Sequence, residues 1–217
     1  MFGLPERTVF GQRIPKQKFY ERLDVSSRLK RLFIDQVKNI YWVHKIASAT
    51  TNIAQGEAVR EIEVLQINLA QPDLDETVLL ELDRAIPYHM LFVLSYEDKV
   101  KLVAGYKEKA KSGNKAFKVS GFYYTDWLEE TDFEFELNGI TLDEVYENLL
   151  RKIGGERLEQ KDDEPIAETI RRDEEIRQLE KEIATLKMRR KRLKQLNKQI
   201  QLNNRIRALM NRVEQLK

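Results

Sequence analysis

The hydrophobic positions change rhythm several times along the chain, and each rhythm predicts a different element. Leu29, Leu32, Phe33, Val37, Ile40 and Tyr41 are three and four residues apart, which predicts an amphipathic helix from an N-cap at Asp24 to about His44. From Glu61 to Leu69 polar and apolar residues begin to alternate, as in a strand, and Pro72 ends the run. A short helix capped by Asp73 or Asp75 follows, with Val78, Leu79, Leu82 and Ile86 on one side, and it stops before Pro87. Met90 to Leu94 is continuously apolar, as suits a strand buried on both faces. Val100, Leu102 and Ala104 predict its antiparallel partner, with Glu97-Asp98 as the turn. A further strand runs from Phe117 to Thr125 after a turn at Ser112-Gly113-Asn114. Alternating Phe133, Phe135 and Leu137 predict an edge strand. Thr141 caps a helix carrying Leu142, Val145, Leu149, Leu150 and Ile153, with Glu144 in the capping-box position. Residues 1–23 show no sustained period.

Together these elements predict an α+β domain over residues 1–155, with a mainly antiparallel sheet and flanking helices. An acidic linker is expected over 156–165, and a long C-terminal α-helical coiled coil over 166–217. Its seam runs Ile176, Leu179, Ile183, Leu186, Leu193 and Ile200, then resumes as Leu202, Ile206, Leu209, Val213 and Leu216. The second run is offset by two residues from the first, which no single stutter or stammer produces. A bend, a change of face near Asn203-Asn204 or a hairpin would each account for it, though no Gly or Pro marks a hairpin.

Charge sharpens this segment. The chain of 217 residues is 34% charged yet has a formal net charge of only +2. From Glu156 to Leu186 acids outnumber bases by five, whereas Lys187 to Lys217 carries eleven bases and the single acid Glu214. Antiparallel pairing sets the basic half beside an acidic half, so self-association is expected, antiparallel favoured over parallel. The run Arg189, Arg190, Lys191, Arg192 and Lys194 is the candidate phosphate-binding patch, for sequence-tolerant and salt-sensitive contact with DNA or RNA.

Candidate chemistry elsewhere is thin. The chain has no cysteine, so disulfides and thiolate sites are excluded. Neither a nucleophile elbow nor a phosphate loop occurs, and His44 and His89 are isolated in sequence. No cofactor is expected. Tyr123, Tyr124 and Trp127 with Lys118, and Arg13, Lys16, Lys18, Phe19 and Tyr20, are two candidate base-stacking groups. The pairs Glu61/Glu63, Asp73/Asp75 and Glu134/Glu136 are the carboxylates from which a metal-dependent nuclease would have to be built. With no apolar run long enough for a bilayer and no signal-peptide pattern, a cytoplasmic location without membrane contact is expected.

Several short segments carry a resemblance. They are Lys38-Asn39-Ile40-Tyr41-Trp42 with Lys45, Thr51-Asn52-Ile53, Leu82-Asp83-Arg84-Ala85-Ile86-Pro87, Leu91-Phe92, Tyr106-Lys107, Tyr123 to Trp127, Leu142-Asp143, Tyr146 to Leu150, and Leu196 to Asn203. Together they resemble a family of small bacterial proteins described as a domain of unknown function. Its members are often encoded beside DNA methyltransferases and helicases of restriction-modification or phage-defence type. With the missing catalytic motif and the long charged coiled coil, the resemblance points to an accessory or adaptor subunit, not an enzyme, that docks a helicase or methyltransferase and oligomerises through the coiled coil. Nucleic-acid binding through the basic helix and a cryptic metal-dependent nuclease are the alternatives.

Overall fold

The computed structural model describes residues 2–22, 26–109, 117–161 and 164–217, without the side chains of 20–22 and 109. The chain forms two compact units, Met1–Gly155 and Glu156–Lys217. The helix expected to be capped by Asp24 is capped instead by Ser26, whose hydroxyl accepts from Leu29 N–H at 3.3 Å. Asp24 itself, the turn at Ser112-Gly113-Asn114, the Tyr20 side chain and Asp162-Asp163 lie outside the described residues.

The first unit is built on one mixed sheet. Its strands are β1 (Val9–Ile14), β2 (Val37–Ala47), β3 (Glu61–Leu69), β4 (His89–Tyr96), β5 (Lys99–Lys109) and β6 (Phe117–Tyr124), side by side in chain order, and β7 (Leu128–Glu129) pairs with β5. All neighbours are antiparallel except β3 and β4, which are parallel and joined by helix α4 (Glu76–Ala85). A parallel pair requires such a crossover, and here the helix supplies it.

Each face of the sheet has its own helices. Leu65, Ile67, Leu69, Met90, Phe92, Leu94 and Val103 pack with Phe19 of α1 (Gln17–Arg22), Leu29 and Phe33 of α2 (Ser27–Gln36) and Val78, Leu79 and Leu82 of α4. The other face carries α5 (Leu142–Gly154), whose buried stripe is Leu142, Val145, Tyr146, Leu149, Leu150 and Ile153. The Tyr146 hydroxyl lies 2.6 Å from Gly105 O and 3.2 Å from Met90 O, so it pins α5 to β4 and β5. At the start of α5 the Thr141 hydroxyl accepts from the Glu144 amide. Asp143 accepts backbone N–H groups of Glu57, Ala58 and Val59 at 2.7–3.2 Å. A Cβ at Gly56 would fall 2.1 Å from that carboxylate, so only glycine lets the loop close on it.

Three expectations need correction. The helix predicted to reach His44 ends at Gln36, and residues 37–47 form strand β2. Register shifts against β3 occur between Val37 and Asn39 and between Trp42 and His44. They bury Val37, Ile40 and His44, a spacing of three and four that imitates a helix. Residues 133–138 form no sheet strand. Phe133 and Phe135 are buried as their alternation implies, but Phe135 N–H donates to Phe2 O at 2.9 Å, not to a sheet edge. Residues 1–23 contain β1, an edge strand that is exposed nearly throughout and kinked at Gly11 (φ +63°). With no buried face it had no apolar rhythm to show.

The second unit is a helical hairpin. Short α3 (Ser48–Thr51) completes the first unit, and here α6 (Ile166–Arg192) and α7 (Leu196–Leu216) run antiparallel across a connection of residues 193–195. Ile183, Leu186, Ile206 and Val213 form the core, flanked by Ile176, Leu179, Leu202 and Leu209. The offset of two in the seam therefore marks a chain reversal. Leu193 lies in the turn, and Ile200, 48% exposed, is not on the seam. Acid faces base within one chain: Arg205 and Glu182 at 2.6 Å, Arg212 and Glu175 at 2.9 Å. The segment expected to be linker includes a 3-10 turn, Gly155–Leu158, with Leu158 buried.

The absence of native cysteine makes the hairpin directly testable. With Glu182→Cys and Arg205→Cys in one chain, a short bis-maleimide should give an intramolecular product that stays monomeric on hundredfold dilution. Covalent dimers as the main product would contradict the fold.

Candidate functional site

Two features stand out, one in each unit. In the hairpin, no acid occurs between Ile183 and Val213. Arg189, Lys191, Arg192 and Lys194 are exposed at the turn-proximal end of α6 and in the connection. Arg190 is half-buried and donates to Asn203 Oδ1 at 2.6 Å. Exposed Lys187 and Lys198 add to the same end of the hairpin. The acids of α6 are matched farther from the turn by Arg205, Arg212 and Lys217. Folding back thus neutralises the base of the hairpin and concentrates unmatched cations at its tip.

The other candidates are mostly occupied in structure. Tyr123 is buried, Tyr124 OH donates to Glu76 at 2.8 Å, and Trp127 lies under Lys101 Nζ at 4.9 Å. Near the N-terminus, Arg13 donates to Asn39 Oδ1, Lys16 Nζ caps the end of α2 at Phe33 O and Val37 O, and Phe19 is core. His44 Nδ1 sits 2.9 Å from Thr8 Oγ1, and burial lowers its pKa. His89 packs against Tyr146 and Phe117, and burial lowers it to about 4. Asp75 caps α4, and Glu136 pairs with Lys152 at 2.6 Å. Among the described residues no three His, Asp or Glu gather as a metal site.

The remaining pair, Glu61 and Glu63, belongs to the second feature. Alternation along β3 puts them on the same face as Leu65, Ile67 and Leu69, the face covered by helices. Glu63 is 1% exposed. Its Oε2 accepts from Trp42 Nε1–H at 2.8 Å, while Oε1 has no hydrogen-bond donor among the described residues. Lys45, opposite Glu63 in the ladder, gives its ion pair to Glu61, 2.8 Å away. Burial raises the Glu63 pKa to about 7, against the pull of the Trp42 hydrogen bond and Lys45, and neighbouring Glu61 raises it further.

Glu63 and Trp42 line a cavity of about 220 Å³ with Ile14, Leu65, Ile86 and Tyr88. Phe19 and Ala85 complete its apolar wall and Lys18 is its exposed cation. The wall at residues 85–88 is set by the buried pair Asp83 and Lys107, 2.8 Å apart. Lys107 Nζ also donates to Asp83 O, Ile86 O and Tyr88 O, so one ammonium fixes the exit from α4 into β4. Burial pushes Asp83 up to about 6 although Lys107 opposes it. Asp83 and Lys107 both fall in segments that carry the resemblance, but nothing in the sequence pairs them across 24 positions.

The Glu63 carboxyl is raised from 4.5 to about 7 on folding, so its contribution is fully present below pH 4.5 and lost as pH rises towards 7. Glu63→Gln removes that loss and retains an acceptor for Trp42. In urea titrations followed by tryptophan fluorescence, it should gain about 2–3 kcal/mol on wild type above pH 7 and nothing below pH 4.

No helix among the described residues is long and apolar enough to cross a membrane. No curated protein and no solved structure matches the chain. A family model does, over residues 2–213, and so spans both the sheet domain and nearly all of the hairpin. The chain belongs to the family described as Domain of unknown function (DUF4391).

Proposed function

We propose that this protein is an accessory component that engages nucleic acid through the basic tip of its C-terminal hairpin. The observation that carries this reading is the acid-free stretch from Ile183 to Val213, folded so that its unmatched Lys and Arg side chains meet at one end. Such a cluster gains affinity by displacing counterions from phosphates, and it reads no base sequence. The role remains that of an adaptor, in keeping with the setting beside DNA-modifying or DNA-unwinding enzymes that the resemblance implies.

A second reading, contact with a protein partner such as a helicase or methyltransferase, is favoured by a separate observation. Met188, Leu196, Ile200 and Met210 are 48–68% exposed on the hairpin. The apolar seam offered to a second copy by the sequence pattern is filled by α7 itself, so protein contacts would fall to these residues instead.

Fluorescence anisotropy with a duplex and a single-stranded oligonucleotide separates the readings. Full-length protein should bind several unrelated sequences alike, with log affinity falling linearly in log salt. Replacing Arg189, Lys191, Arg192 and Lys194 with Gln should reduce the slope by about 3 to 4. Absence of binding at low salt, or an unchanged slope in the variant, would leave the protein-partner reading alone.

A further inference from the structure

We infer that the cavity of the first unit is a binding site for a small hydrophobic amine, held as its ammonium ion against Glu63. The inference rests on geometry in the sheet domain and is independent of the nucleic-acid reading of the hairpin.

Size comes first. A cavity of about 220 Å³ exceeds the roughly 150 Å³ that accommodates benzene in an apolar protein interior. It therefore holds one aromatic ring with a short chain. The lining sets the polarity. Ile14, Leu65, Ala85 and Ile86 offer no hydrogen bond, and a heterocycle rich in ring nitrogens would leave several of them unpaired there. A ligand with an apolar frame and one polar head leaves none unpaired.

Charge then selects the head group. Two carboxylates, Glu61 and Glu63, face one lysine, Lys45, and that lysine is 2.8 Å from Glu61. Glu63 is the surplus acid, buried, with Oε1 lacking a donor. An ammonium in the cavity supplies the missing positive charge beside a carboxyl whose proton is otherwise shared with Glu61. The rings of Phe19, Trp42 and Tyr88 line the same space, and aromatic faces attract organic cations. Lys18 is the one opposing cation in the lining, and it is exposed, where solvent screens it.

The groups facing Glu63 fix the pH behaviour. They are Glu61 on its own strand, Lys45 and Trp42 on β2, and, around the cavity, Lys18 on α1 and Tyr88 before β4. With a pKa of about 7, Glu63 is partly protonated in the free protein at neutral pH. An ammonium ion ionises it, so binding releases a proton and strengthens as pH rises from 5.5 to 8.

The test uses the full chain, with 2-phenylethylamine as probe and 2-phenylethanol as its neutral counterpart. Binding is followed by the Trp42 indole N–H resonance, and proton release by calorimetry in buffers of different ionisation enthalpy. Phenylethylamine should bind at least tenfold tighter than the alcohol, with proton release near pH 6.5. Glu63→Gln should abolish both the preference and the release. Ala85→Trp, a change at an exposed rim position, should block both probes while leaving the fold intact. A lysine-containing peptide tests whether the amine can come from a protein side chain. Equal affinity for amine and alcohol, an undiminished preference in Glu63→Gln, or no binding at millimolar probe would overturn the inference.

Discussion

The buried ion pair between Lys107 and Asp83 is the constraint on which the sheet domain turns. Both side chains are essentially inaccessible, at 2% and 0% exposure. Desolvating two charges costs several kcal/mol each, and the pair is tolerated only because further hydrogen bonds satisfy the lysine. Those bonds are the carbonyls of Asp83, Ile86 and Tyr88, the last groups of α4 and the first of the passage into β4. The helix thus ends where Pro87 requires it to end, and β4 enters in parallel register with β3, Ile62 beside His89. The same passage forms one wall of the cavity over Glu63. Fold and candidate ligand site share one electrostatic support.

Charge organises the second unit by a different route. Neither half of residues 166–217 is neutral, and a parallel partner would set like beside like. Chain reversal solves this within one molecule at the cost of a three-residue turn. The pairs Arg205–Glu182 and Arg212–Glu175 are exposed and contribute little stability individually, so the apolar core of Ile183, Leu186, Ile206 and Val213 holds the hairpin. The charges set orientation and leave an excess of cations at the tip. An arrangement that settles register internally also gathers the cations at one end.

Sequence pattern makes legible the parts of this fold whose burial is regular. Strands β3 to β5 and helices α4 and α5 announce themselves because one face is buried nearly continuously. β2 escapes because its bulges replace a period of two by spacings of three and four, and β1 escapes because nearly all of it is exposed. The hairpin is half legible: the two-residue offset signals a break, but no Gly or Pro marks residues 193–195 as the place. The basic tip is visible as a charge run. The cavity is not, since Glu61 and Glu63 on an alternating strand resemble a solvent face. Only the packing of α1 and α4 over Leu65 and Ile67 shows that this face is interior.

The most direct test of the account is a double-mutant cycle at Lys107 and Asp83, read by urea unfolding through Trp42 and Trp127, both in the sheet domain. Lys107→Met or Asp83→Asn alone should cost about 3–5 kcal/mol, because each strands a buried partner. The double variant should cost at least about 2 kcal/mol less than the sum of the two. Strict additivity, or single variants as stable as wild type, would show that the pair does not hold α4 and β4 together.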